Sequence, residues 1–201
     1  MKNFYGLFLL LLISACASPI LPPVDSPERT WQSREIQLSN VNDWQLTGRM
    51  AVTTDVEAWH MDVNWQQRSD NYTILISGPF GAGKVRLSGN ANGVYLYDDD
   101  GVYFAKEPDA LLHQHTGVIM PVSSLFYWIR GLPNPRMKEY NKPKLDDQGR
   151  LAFLQQNGWN VEFKRYLQVE SLQLPDKLFI KGKPDIDVRL VIDDWQITRP
   201  L

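Results

Sequence analysis

Few residues in this 201-residue chain could do chemistry, and their spacing excludes most of it. There is one cysteine, Cys16, so neither an intramolecular disulfide nor a cysteine-rich metal centre is available. Gly78-Pro79-Phe80-Gly81-Ala82-Gly83-Lys84 has the GxxxxGK spacing of a phosphate-binding loop. Val85 follows where a Ser or Thr should hold magnesium, and Val85-Arg86-Leu87-Ser88 reads as a strand where a helix should open. His113 and His115 are two apart on a predicted helix, so they face different sides and make a poor metal pair. His60 has no His or Cys partner in sequence. Asp98-Asp99-Asp100-Gly101 lacks the spaced acids and later glutamate of a calcium loop and reads as a solvated turn. Neither a GxSxG elbow nor an HExxH pair occurs. The expectation is a protein that is not an enzyme and holds no metal and no cofactor.

The chemistry left is that of Cys16 itself. Lys2 precedes the apolar run from Phe4 to Ile13. That run is too short to span a bilayer, which takes roughly 20 apolar residues, and fits the core of a signal peptide. Ile13-Ser14-Ala15-Cys16 resembles a bacterial lipobox. Small residues admit the cleavage site to a protease, and only a thiol can form the thioether to a diacylglyceryl group. Residues 1–15 are therefore read as a lipoprotein signal peptide. Residues 16–27, with Pro19, Pro22, Pro23 and Pro27, are read as the acylated cysteine and an extended tether. Each buried acyl methylene contributes ~0.8 kcal/mol, and stable anchoring takes at least two chains. Ala17, not Asp, follows Cys16, and by resemblance to Gram-negative sorting rules this favours the outer membrane.

Lys and Arg total 21 and Asp and Glu 23, for a net charge of -2. A dedicated nucleic-acid partner would demand a basic excess, so none is expected. Residues 28–201 read as one domain. Ser26-Pro27 can open a helix, with Ser as N-cap and Pro at the first helical position. From Trp44 the period becomes two: Met61, Val63 and Trp65, then Ile74 and Ile76, then Val85 and Leu87, alternate with polar residues between Gly, Asn and Asp turns. Helices are predicted over 108–116 and 121–130, each begun by proline and stopped by glycine, with Leu125, Trp128 and Ile129 on one face. Strands resume at 137–142, 151–156, 159–165, 169–174, 178–181 and 186–197. The expected fold is mainly β: a half-open antiparallel barrel of about eleven strands, with about three helices.

Seven Trp, eight Tyr and eight Phe are many for a domain without catalytic motifs. Large apolar residues on one strand face either fill a core or line a cavity, and composition does not separate the two. The turn at 78–84 carries Phe80 at its tip. Phe80 either folds back on the core or stands exposed toward lipid or a partner.

Several short motifs in order resemble the LolB family of outer-membrane lipoprotein receptors. They are Trp31, Gly48-Arg49-Met50-Ala51, Trp65-Gln66-Gln67, Gly78-Pro79-Phe80-Gly81, Met120-Pro121-Val122-Ser123-Ser124-Leu125, Trp128-Ile129-Arg130-Gly131-Leu132-Pro133, Leu145 to Leu151 and Asp194-Trp195. The resemblance implies helices covering an apolar cavity for acyl chains. It implies receipt of acylated lipoprotein cargo from a soluble periplasmic carrier of the same, LolA-like fold, and release into outer-membrane lipid by a monomer. It also implies that the turn Pro79, Phe80 and Gly81 meets the membrane, Phe80 standing where the family commonly has Leu. On strand parity, the cavity lining is expected from Met61, Val63, Trp65, Ile74, Ile76, Val85 and Leu87, with Leu125, Trp128 and Ile129 from the helical lid. The rival is a structural or glycan-binding outer-membrane lipoprotein with a packed β core.

Overall fold

The computed structural model describes residues 22–81, 83–137, 141–182 and 185–198. Residues 1–15, read as a signal peptide, and Cys16 lie outside the described residues. The first helix, α1 (Pro27–Ser39), begins at a proline whose missing N–H is no loss in a first turn. Ser26 precedes it in extended conformation, but its side chain makes no cap bond. Eleven strands follow: β1 (Asp43–Thr53), β2 (Ala58–Arg68), β3 (Asn71–Ser77), β4 (Val85–Asn90), β5 (Gly93–Asp98), β6 (Gly101–Ala105), β7 (Lys144–Leu145), β8 (Leu151–Gln156), β9 (Trp159–Val169), β10 (Leu172–Gly182) and β11 (Ile186–Ile197). Between β6 and β7 come α2 (Pro108–Thr116) and α3 (Val122–Trp128).

All eleven strands form one antiparallel sheet in the order β6-β5-β4-β3-β2-β1-β11-β10-β9-β8-β7. The chain's two halves join through β1 and β11, Trp44 opposite Ile197 and Thr53 opposite Asp187. Strands β6 and β7 end the sheet without pairing to each other, so the barrel stays open. Gly48 sits at the irregularity in the β1–β11 ladder. A Cβ there would meet the Val191 carbonyl oxygen at 2.3 Å, so only glycine lets the two strands approach this closely.

Three expectations shift. The strand expected at 137–142 falls in part on 138–140, outside the described residues; the described strand nearest to it is the two-residue β7, Lys144–Leu145. The strand expected at 169–174 straddles a hairpin: β9 runs to Val169, Glu170 turns with φ 50°, and β10 continues to Gly182. Pro175, between the strands expected at 169–174 and 178–181, sits inside β10 where the ladder shifts register and the missing N–H is tolerated. The last helix spans Val122–Trp128, shorter than 121–130, and the chain turns away at Gly131 with φ 76°.

The concave face carries every second strand residue. Trp44, Leu46, Met50, Val52, Val63, Trp65, Ile74, Leu87, Leu96, Leu178, Val188 and Leu190 are all buried there. Trp44 packs on Trp65 at 5.4 Å and on Trp195 at 5.3 Å between centroids. Before α1, Val24 donates its N–H to the Asp147 carbonyl at 2.9 Å, and the Pro22 carbonyl accepts from Gln148 at 2.6 Å. The stretch read as free tether therefore lies on the domain from Pro22 onward.

Candidate functional site

Strand parity and register build an apolar wall. In one row across the sheet, Val63 lies opposite Ile76 and Ile76 opposite Val85. In the next, Trp65 lies opposite Ile74 and Ile74 opposite Leu87. Met50 pairs with Met61 on one side and Leu190 on the other. Facing this wall are Leu112 and Thr116 of α2, Val118 and Met120 of the connection, Val122 and Leu125 of α3, and Ile129. Together with Leu46, Val52 and Trp59 they enclose a cavity of about 270 Å³.

Thr116 is the one polar side chain in the lining, and its hydroxyl donates to the Leu112 carbonyl at 2.8 Å. The Trp65 indole N–H is engaged too, by Gln67 at 3.3 Å, so the rest of the lining offers hydrocarbon, thioether and the Trp59 indole. An apolar cavity stays dry and takes apolar guests. A wetter recess of about 410 Å³ shares Trp59, Thr116 and Val118 with the cavity and is rimmed by Asp55, Glu57 and Asp185.

Polar contacts hold the helical lid. Asp109 of α2 accepts from the Ser123 N–H at 2.9 Å and from its hydroxyl at 2.7 Å, capping the start of α3. At the other end of α2, His115 pairs with Asp98 on the β5–β6 turn. Burial works to raise the Asp98 carboxyl, but His115 and the N–H groups of Asp100 and Gly101 outweigh it and hold the group below the usual carboxylate range. The aspartate run is thus an Asx turn clamping a helix. Among the described residues, no group of three or more His, Cys, Asp or Glu could hold a metal.

Arg130, 2% exposed, donates to the Val41 carbonyl at 2.8 Å and stacks over Phe126 at 4.2 Å. Burial lowers its pKa to about 10. It ties the chain after α3 to the end of α1.

Nine of the ten lining residues expected from sequence stand in the cavity wall: Met61, Val63, Trp65, Ile74, Ile76, Val85, Leu87, Leu125 and Ile129. Trp128 does not. It is fully buried, its indole N–H donates to Gln156 at 2.9 Å and its ring lies 6.3 Å from Trp159. The same Gln156 accepts from the Asn134 N–H, and the Asn134 amide donates to Ser124. A polar partner on β8 thus turns this tryptophan away from the cavity. Sequence reasoning passed over Leu46, Met50, Val52 and Leu190, although their alternation along β1 and β11 carries the same signal. Leu112, Val118 and Met120 had no such signal, because only the fold lays α2 and the following loop over the sheet.

Pro79–Gly81 forms a single 3₁₀ turn with the Gly81 N–H on the Gly78 carbonyl at 3.0 Å and Gly81 at φ 78°. The chain passes from it into β4, so no helix N-terminus is offered to a phosphate. The Phe80 side chain lies outside what is described.

The family model described as "Outer membrane lipoprotein LolB" matches residues 42–195. Curated relatives named outer-membrane lipoprotein LolB include one from Chromohalobacter salexigens, 36% identical over 98% of this chain and 91% of its own. Others come from Pseudomonas putida, 38% identical over 94% and 92%, and Nitrosococcus oceani, 39% over 95% of each. Among solved structures, a LolA superfamily protein from Nitrosomonas europaea superposes with a TM-score of 0.55 at 6% identity, covering 90% of this chain and 96% of that one. A DUF1329 family protein from Desulfovibrio piger superposes with a TM-score of 0.53 at 8% identity, covering 90% and 95%. At these identities the two structures speak for the fold.

Proposed function

The chain belongs to the LolB family of outer-membrane lipoproteins, and from that premise we propose that its cavity receives the acyl chains of lipoproteins from a soluble periplasmic carrier and releases them into the outer membrane. The protein is an outer-membrane receptor of lipoprotein localisation. Its work is transport. Acylated Cys16 is the anchor, and the domain faces the periplasm. The turn Pro79–Gly81, with Phe80 at its centre, is where the receptor touches lipid during release.

The observation that carries this reading is the cavity of about 270 Å³ whose lining is apolar but for Thr116. A packed β core, the rival reading, leaves no such space. Transfer needs no nucleotide. Cargo distributes by free-energy differences between sites, and burial at ~0.8 kcal/mol per methylene makes those differences steep in the length of chain accommodated.

The test uses a form lacking the signal peptide and Cys16, mixed with carrier loaded with a triacylated lipoprotein. Cargo is expected to co-purify with this protein. Cargo remaining on a carrier that releases it to another receptor overturns the reading.

A further inference from the structure

The outward face of β5 and β6, with Leu75 of β3, carries exposed apolar side chains although it covers no core. Val102 is 61% exposed, Phe104 56%, Tyr95 46% and Leu75 39%. Register gathers them: Tyr95 lies opposite Phe104, Tyr97 opposite Val102, and Arg86 bridges Leu75 to Tyr97. The group is ordered. The Tyr95 and Phe104 rings are 4.9 Å apart, and Phe104 lies over Gly93, where a Cβ would meet its ring at 2.6 Å. The Arg86 guanidinium sits 4.2 Å from the Tyr97 ring, and among the described residues no carboxylate pairs with it. Exposed patches of this kind mark protein or membrane contacts.

We propose that this face rests in the headgroup layer of the outer membrane, with Val102, Phe104, Tyr95 and Leu75 at the acyl boundary and Arg86 toward lipid phosphate. The proposal rests on the reading of Cys16 as the acylated anchor. Five residues, six Cα-to-Cα steps, separate Cys16 from Pro22, where the chain is already fixed to the domain. They reach at most about 20 Å, whereas a domain of this length is roughly 40 Å across. The tether therefore holds the domain within about 20 Å of the bilayer surface, close enough for one face to lie on it. Aromatic rings with a polar rim and a cation are the side chains that partition to that interface.

A second copy is the poorer occupant. The patch exposes on the order of 400 Å², half of the ~800 Å² per partner in a stable interface. Asp99 and Asp100 at the neighbouring turn give no attraction to anionic lipid, so contact is apolar and insensitive to salt.

The acylated full chain, reconstituted in phosphatidylethanolamine and phosphatidylcholine vesicles, provides the test. An environment-sensitive fluorophore is placed at Phe104→Cys, or in a separate protein at Arg189→Cys, an exposed site on β11. Brominated lipid is expected to quench the probe at 104 several-fold more than that at 189, equally at low and high salt. Val102→Glu in the same chain should return the probe at 104 to aqueous values while circular dichroism is unchanged. Equal aqueous quenching at both sites overturns the proposal. So does protection at 104 that appears only with added carrier, or only as protein density rises, since these name a protein partner or a second copy. Cargo uptake by the same vesicles is scored separately, so a receptor with an unprotected patch defeats this inference alone.

Discussion

Val85→Phe tests directly whether acyl chains lie in the cavity. Val85 stands half-buried in the wall, opposite Ile76, and the larger side chain adds four carbons pointing inward. An apolar cavity of about 150 Å³ accommodates benzene, so 270 Å³ holds roughly eleven carbons on the same scale. The substitution leaves room for about seven. Four displaced methylenes at ~0.8 kcal/mol each cost a long chain about 3 kcal/mol, a loss on the order of 200-fold in affinity. A six-carbon chain fits either cavity and should bind both proteins alike. The assay is displacement of a fluorescent fatty acid by a series of alkyl carboxylates of rising length. For the unaltered protein, affinity should climb with length and level off near eleven carbons; for Val85→Phe it should level off near seven. Continued climb beyond that length in both proteins, or an equal loss for short and long chains, would refute the assignment of this cavity.

Four further outcomes follow from the same geometry. Ile76→Asn, on the half-buried wall, should fold and lose acyl binding, whereas Trp65→Asn, which breaks the stack on Trp44, should lower the urea midpoint as well. Phe80→Glu should still take cargo from the carrier but fail to pass it to vesicles, measured by cargo partition after centrifugation. Arg130→Met leaves the buried Val41 carbonyl without its donor and should cost about 2–4 kcal/mol in urea denaturation. Burial raises the Tyr72 pKa from 10 to about 12. A raised folded-state value means stability is complete below pH 10 and falls as pH climbs toward 12, and Tyr72→Phe should flatten that part of the urea-midpoint curve.

Much of the fold follows from local pattern, because a strand period of two fixes which side chains share a face whatever the strands pair with. Met61, Val63 and Trp65 share one face, Ile74 and Ile76 another, and Val85 and Leu87 a third; that the three faces coincide rests on the register, which the structure sets. Proline before and glycine after marked two helices within a few residues. Sequence also carried the order of family motifs. It did not carry the turn at Glu170, where a residue with no turn preference takes φ 50° because strands β9 and β10 impose it. Nor did it carry the run of β10 through Pro175, tolerated only at a register shift. Helical spacing put Trp128 beside Leu125 and Ile129; Gln156, 28 residues away, takes its indole N–H and buries it elsewhere. The deepest question, cavity or core, was beyond composition, since the same residues serve both. Tertiary structure decides it: α2 is held at Asp109 by Ser123 and at His115 by Asp98, and so spans the open sheet without filling the space beneath.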